Sequence, residues 1–172
     1  MPMPLKAALQ RRIRAVNTEI ERKFLVTGDD YRRLAPGVCI RQGYLNADPD
    51  RTVRVRIAGE KAAIAVKGRN AGITRLEFEY EIPKPDAELM LERIAVRPII
   101  EKVRYRVPYA GRIWEVDEFF GANAGLVVAE VELAREDEPF EKPGWVGAEV
   151  SDDPRYYNSN LMLKPYATWS AA

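Results

Sequence analysis

Glu77, Glu79 and Glu81 alternate with Phe78, Tyr80 and Ile82 in one stretch of this chain, and Lys102, Arg104 and Arg106 alternate with Val103, Tyr105 and Val107 in another. A period of two belongs to the β-strand, whose successive side chains point to opposite faces. Each stretch therefore carries charges of one sign on one face and apolar residues on the other. The same split recurs along the sequence. Glu19, Glu21 and Lys23 oppose Ile20, Phe24 and Val26, with Arg22 on the apolar side and Leu25 on the charged side. Arg54 and Arg56 oppose Val53, Val55 and Ile57, and Lys67 opposes Ile64 and Val66. Glu115 and Asp117 oppose Trp114 and Val116, and Glu130 and Glu132 oppose Val131 and Leu133. The solvated face of an ordinary half-buried sheet mixes polar residues loosely. Wholly acidic and wholly basic strands ask instead for a structure in which one row meets the other.

Turn chemistry sets the element boundaries. Strands are expected at residues 18–26, 38–46, 52–58, 61–67, 73–82, 99–109, 112–119 and 126–134. Asp48-Pro49-Asp50, Gly59-Glu60, Asn70-Ala71-Gly72 and Ala110-Gly111 turn the chain between them. Residues 84–96 read as the main helix, with Pro85 and Asp86 near its start and Leu89, Met90 and Ile94 as an apolar stripe. Residues 31–34 read as a short helix behind Thr27-Gly28-Asp29-Asp30. The acidic, proline-containing tail from Arg135 leads to a last short helix after Asp152 and Asp153. Eight hairpin-connected strands with so little helical cover suit a sheet closed on itself. The expected fold is mainly β, a closed eight-stranded antiparallel barrel with a charged interior and a few covering helices. Residues 17–172 form that single domain, and residues 1–16 are a basic extension expected to be poorly ordered.

Composition narrows the chemistry. The 172 residues suffice for one domain with a sizeable core. They include 27 Lys and Arg against 26 Asp and Glu, which argues against nucleic-acid binding by bulk positive charge. No histidine is present, so the usual general base and the commonest transition-metal ligand are missing. A metal here would be a hard cation such as Mg2+ or Mn2+, held by carboxylate oxygens. The lone Cys39 reads as a small strand residue and permits no internal disulfide. No apolar run is long enough to cross a bilayer, and a cytoplasmic location is expected. Burying unpaired charges costs several kcal/mol per ion, so an inward charged face calls for a hydrated tunnel and balancing ions. A polyanion would neutralise Arg54, Arg56, Lys67, Lys102, Arg104 and Arg106. A divalent cation would join it to Glu19, Glu21, Glu130 and Glu132.

The ordered set of motifs resembles the CYTH domain, the triphosphate tunnel metalloenzyme family. Glu19-Ile20-Glu21-Arg22-Lys23 is similar to its E-x-E-x-K signature. The stretches at residues 52–56, 67–68, 77–81, 102–106, 114–119 and 130–132 follow the later motifs in order and spacing, and residues 153–161 resemble the short bacterial branch. That resemblance implies an eight-stranded tunnel acting on triphosphate compounds with Mg2+ or Mn2+, often in a dimer, so a homodimer is an expected partner. It favours hydrolysis of inorganic triphosphate, in line with the short branch. Arg54, Arg56, Lys67, Lys102, Arg104 and Arg106 would then contact phosphates, and Glu19, Glu21, Glu130, Glu132 and Glu77 would hold metal. Lys23, Glu79 and Asp117 are the catalytic candidates: Lys23 would touch the phosphate chain or poise the water, and Glu79 or Asp117, with Glu77, would position a second metal or the attacking water. Adenylate cyclisation, hydrolysis of a nucleoside or thiamine triphosphate, and non-catalytic polyphosphate binding are the alternatives.

Overall fold

The computed structural model describes residues 17–169, so the expected extension over residues 1–16 lies outside the described residues. In chain order the elements are β1 (Thr18–Val26), α1 (Tyr31–Leu34), β2 (Gly37–Asn46), β3 (Arg51–Ala58), β4 (Lys61–Gly68) and β5 (Thr74–Ile82). There follow α2 (Lys84–Arg93), β6 (Ile100–Tyr109), β7 (Arg112–Phe119), β8 (Val127–Glu132), β9 (Val146–Glu149) and α3 (Asn158–Leu163). Antiparallel pairing runs β5-β4-β3-β2-β6-β7-β8-β1, and β1 also pairs with β5, which closes eight strands into the expected barrel. The closing strand is shared end to end. Residues Thr18, Glu19 and Ile20 pair with β5, Glu21 to Leu25 with β8, and Phe24 and Val26 with β9.

β9 is a ninth strand that the sequence did not announce. Val146-Gly147-Ala148-Glu149 has no apolar alternation of its own and pairs only at the end of β1. The main helix is also shorter than expected and ends at Arg93. The β6–β7 hairpin turns through Ala110 (φ 47°) and Gly111 (φ 76°), the two left-handed residues of a type I′ turn.

Apolar cover lies outside the barrel. Phe24, Val107, Trp114, Val116, Ala129 and Val131 pack beneath Tyr31 of α1 and Leu133 and Trp145 of the tail. Val55, Ile57 and Ala62 are covered by Ala87 and Leu91 of α2. Gly43 on β2 marks how close this cover comes, because a Cβ there would stand 2.9 Å from Ala95 Cβ and 3.0 Å from Leu91 Cδ2. Inside, the charged rows give way to apolar residues towards one end. Ile100, Phe119, Val128 and Tyr44, with Leu25 beside them, form an apolar floor with Leu126 and with Leu161 and Met162 of α3. These residues share the inward parity of the charged rows. The tunnel is therefore plugged at one end by the C-terminal helix.

Candidate active site

The barrel encloses a cavity of about 710 Å³, lined by nine basic side chains and seven carboxylates. Strand parity is the reason. β3 sends Arg54 and Arg56 inward, β4 Lys67, β6 Lys102, Arg104 and Arg106, β1 Glu19, Glu21 and Lys23, β5 Glu77 and Glu79, and β8 Glu130 and Glu132. Thirteen of the fourteen candidate residues line this one cavity.

The fourteenth, Asp117, is fully buried and absent from the lining, covered by Lys102 and Arg104. Its Oδ2 accepts from Lys102 Nζ (2.6 Å) and Arg104 Nη2 (2.8 Å), and its Oδ1 accepts from Arg104 Nε (2.7 Å). Burial opposes the charge on Asp117, but Arg104 and Lys102 outweigh it and hold the carboxyl below its usual range. Arg104 also donates to Glu115 and, at 3.2 Å, to Glu130. Lys23 donates to Glu130 and stands 3.7 Å from Glu21. Burial works against the Lys23 ammonium, yet Glu130 and Glu21 raise its pKa above the usual lysine value. Lys23 is therefore a cation at neutral pH, a donor and not a base.

A second group of pairs lies across β1, β4 and β5. Lys67 Nζ donates to both Glu19 oxygens (3.0 and 3.1 Å) and lies 3.2 Å from Glu77. Arg75 Nε donates to Glu19 Oε2 (2.6 Å). Burial raises the Glu19 pKa, but Lys67 and Arg75 outweigh it and bring the carboxyl to about 2. Arg75 lies outside the sequence motifs because it precedes the acidic triad. Its parity with Glu77 was the signal that places it inward. Arg56 Nη2 reaches Glu79 at 3.0 and 3.1 Å, whereas Arg54 reaches it only at 3.4 Å. Arg54 Nε is buried with no partner. Arg106 sits at the rim, two-thirds exposed and 3.3 Å from Glu115.

Glu21 and Glu132 are direct cross-strand partners. Burial, then the charge on Glu130, pushes Glu21 up to about 8. Burial and Glu19 raise Glu132. Carboxylates crowded until their ionisation is suppressed are a place where a cation would be welcome. As the side chains stand, no three acidic groups among the described residues converge on one point, because Lys67, Arg75, Lys23 and Arg104 occupy Glu19 and Glu130.

A closed barrel with apolar cover outside and opposed basic and acidic rows inside defines a receptor for small polyanions. The profile of the CYTH domain matches residues 17–157, and the chain belongs to that family. It is 54% identical over 148 residues to an inorganic triphosphatase of Acetivibrio thermocellus, covering 86% of this chain and 95% of that protein. It is 37% identical to an inorganic triphosphatase of Nitrosomonas europaea, covering 85% of this chain and 97% of that one. A crystal structure of an inorganic triphosphatase superposes with a TM-score of 0.59 at 34% identity, over 84% of this chain and 94% of that chain.

Proposed function

We propose that this chain hydrolyses inorganic triphosphate to diphosphate and phosphate inside the tunnel, with Mg2+ or Mn2+ as cofactor. The observation that carries this reading is an unmet donor on one of the cavity's cations. With Asp117 and Glu138, which pair with Lys102, Arg104 and Arg112 from outside the lining, nine cations meet nine carboxylates, yet the buried Arg54 Nε has no partner. An orphaned guanidinium N–H is costly in a closed protein and is satisfied by an anionic oxygen. The two inorganic triphosphatase relatives, matched over most of their length, support the same substrate.

The donor set fits a hard divalent cation: oxygens only, with Glu21 and Glu132 side by side and both held above the usual carboxylate range by burial and neighbouring carboxylates. Glu21 and Glu132, with Glu19, Glu130 and Glu77 after exchange of their present lysine and arginine partners, would hold it. When bound, such a metal neutralises phosphate oxygens and lowers the pKa of a water. Arg54, Arg56 and Lys67 fix one end of the phosphate chain, and Lys102 and Arg104 fix it deeper in the tunnel. Their charge is set in place before the reaction, so it stabilises the negative charge that grows on the leaving phosphate. Asp117 acts through Lys102 and Arg104 by clamping them. Lys23 donates to phosphate from beside Glu130. Glu79, on the cavity wall next to Arg54 and Arg56, orients the attacking water. The apolar plug keeps the substrate short and excludes water from one end. A purely binding module would use the basic rows and leave Glu21 and Glu132 unexplained. We further place the protein in the cytoplasm and expect a homodimer. Among the described residues no helix is long and apolar enough to cross a membrane.

Turnover measured side by side on triphosphate, ATP and thiamine triphosphate tests the substrate. Triphosphate is expected to be preferred, and cyclic AMP formed from ATP with little triphosphate turnover would reverse the assignment.

A further inference from the structure

The C-terminal helix does more than plug the tunnel. Its first residue, Asn158, places one amide oxygen among the catalytic cations. Asn158 Oδ1 accepts from Lys102 Nζ at 3.1 Å and from Gln42 Nε2 at 3.0 Å. Lys102 is only 2% exposed and Gln42 is fully buried.

The chemistry of the three groups fixes the orientation of both amides. An ammonium can only donate, so Asn158 must turn its oxygen towards Lys102. That oxygen is then an acceptor for Gln42 as well, so Gln42 must present its Nε2. The remaining Gln42 Oε1 is left buried without a partner. A buried amide oxygen stranded in this way costs free energy, and here the stranding accompanies a contact to Lys102. The helix has little freedom to move away. Leu161 and Met162 are locked in the floor, and Tyr157 Oη just before it donates to Ser151 O at 3.1 Å.

Lys102 has three N–H donors. Asp117 Oδ2 takes one at 2.6 Å and Asn158 Oδ1 takes a second. No third acceptor meets it among the described residues, and Lys102 lines the cavity. We propose that Asn158, buttressed by Gln42, is a positioning residue that accepts a hydrogen bond from one N–H of the Lys102 ammonium and so aims the remaining N–H at a phosphoryl oxygen of the bound triphosphate. The assignment rests on the triphosphate reading above. It makes the tail part of the site: the segment that closes the tunnel also orients a phosphate-binding lysine.

The test is calorimetric binding of triphosphate, without metal and with EDTA, to the full chain and to Asn158→Leu, Lys102→Met and the double variant, with melting curves for each. Asn158→Leu is expected to weaken binding about fivefold, the scale of one misdirected hydrogen bond. In the Lys102→Met background the same change is expected to weaken it no further. With metal present, the Asn158→Leu loss should appear in kcat/KM for triphosphate and should vanish in the Lys102→Met background. Equal weakening in both backgrounds, or no change in affinity, overturns the assignment. Should Asn158→Leu fail to fold, Asn158→Ala carries the same comparison. No binding by the unmodified chain, with no turnover of triphosphate when Mg2+ or Mn2+ is present, overturns the triphosphate reading together with this one. Binding by the unmodified chain that Asn158→Leu leaves unchanged overturns this one alone.

Discussion

Arg54→Met separates holding the fold from holding the substrate. Arg54 is nine-tenths buried, yet its contacts are weak: Glu79 at 3.4 Å and Glu77 at 4.0 Å, with Nε unpartnered. Loosely made ion pairs contribute about 0–1 kcal/mol. An unsatisfied buried donor costs about 1–3 kcal/mol. Replacing the guanidinium by an apolar side chain of similar length should therefore leave stability unchanged or raise it by about 1 kcal/mol. In the complex the same guanidinium makes charge-assisted bonds to phosphate, each contributing about 1.5–3 kcal/mol. Loss of about 3 kcal/mol there is roughly a hundredfold in kcat/KM. Arg104→Met should behave in the opposite way on stability. Arg104 is clamped by Asp117, Glu115 and Glu130, and breaking a buried pair costs about 3–5 kcal/mol. Urea unfolding and steady-state phosphate release on the two variants make the comparison. If Arg54→Met unfolds as early as Arg104→Met, or keeps full activity, the reasoning about the orphaned guanidinium is wrong.

Burial, reinforced by the Arg104 charge, pulls Lys102 down to about 8 against the opposing pull of Asp117. Lys102 is thus a cation below pH 8 and loses that charge above it, so kcat/KM for triphosphate should fall as pH rises through about 8, and Lys102→Met should lack that limb. Glu21 is raised from 4.5 to about 8, so the folded metal-free protein binds more protons than the unfolded chain between those values. Its contribution to stability should decline as pH rises across that window, and metal binding at pH 7 should release close to one proton. Calorimetry in two buffers of different ionisation enthalpy reads the release, and a buffer-independent heat would count against Glu21 as a ligand. Leu161→Ala, at a fully buried position in the plug, should cost about 2–5 kcal/mol and lower the melting temperature by several degrees. An unchanged melting curve would mean the plug is not packed as described.

The inward face was legible because whole strands carry charge of one sign at every second residue, a segregation that a solvated face does not show. Glu77, Glu79, Lys102 and Arg104 announce it without any knowledge of pairing. What stayed hidden depends on contacts between distant parts of the chain. β9 carries no periodic signal and pairs only because β1 leaves an edge open beyond Ile20. Asp117 shares the parity of Glu115, but only the packing shows it behind Lys102 and Arg104 and off the cavity wall. Arg75 shares the parity of Glu77 and Glu79, and that alone places it inward. Asn158 has no such signal, since nothing local tells an asparagine in a tail helix that a lysine 56 residues earlier will meet it.

Release of phosphate from inorganic triphosphate by the purified chain, with Mg2+ or Mn2+ and then with EDTA, tests the central claim most directly. The account predicts turnover that requires the metal and is abolished by Glu21→Gln with the strand content of the circular dichroism spectrum intact. Turnover that persists in EDTA, or full activity in Glu21→Gln, would contradict a tunnel in which opposed rows of cations and carboxylates hold a metal-bound triphosphate.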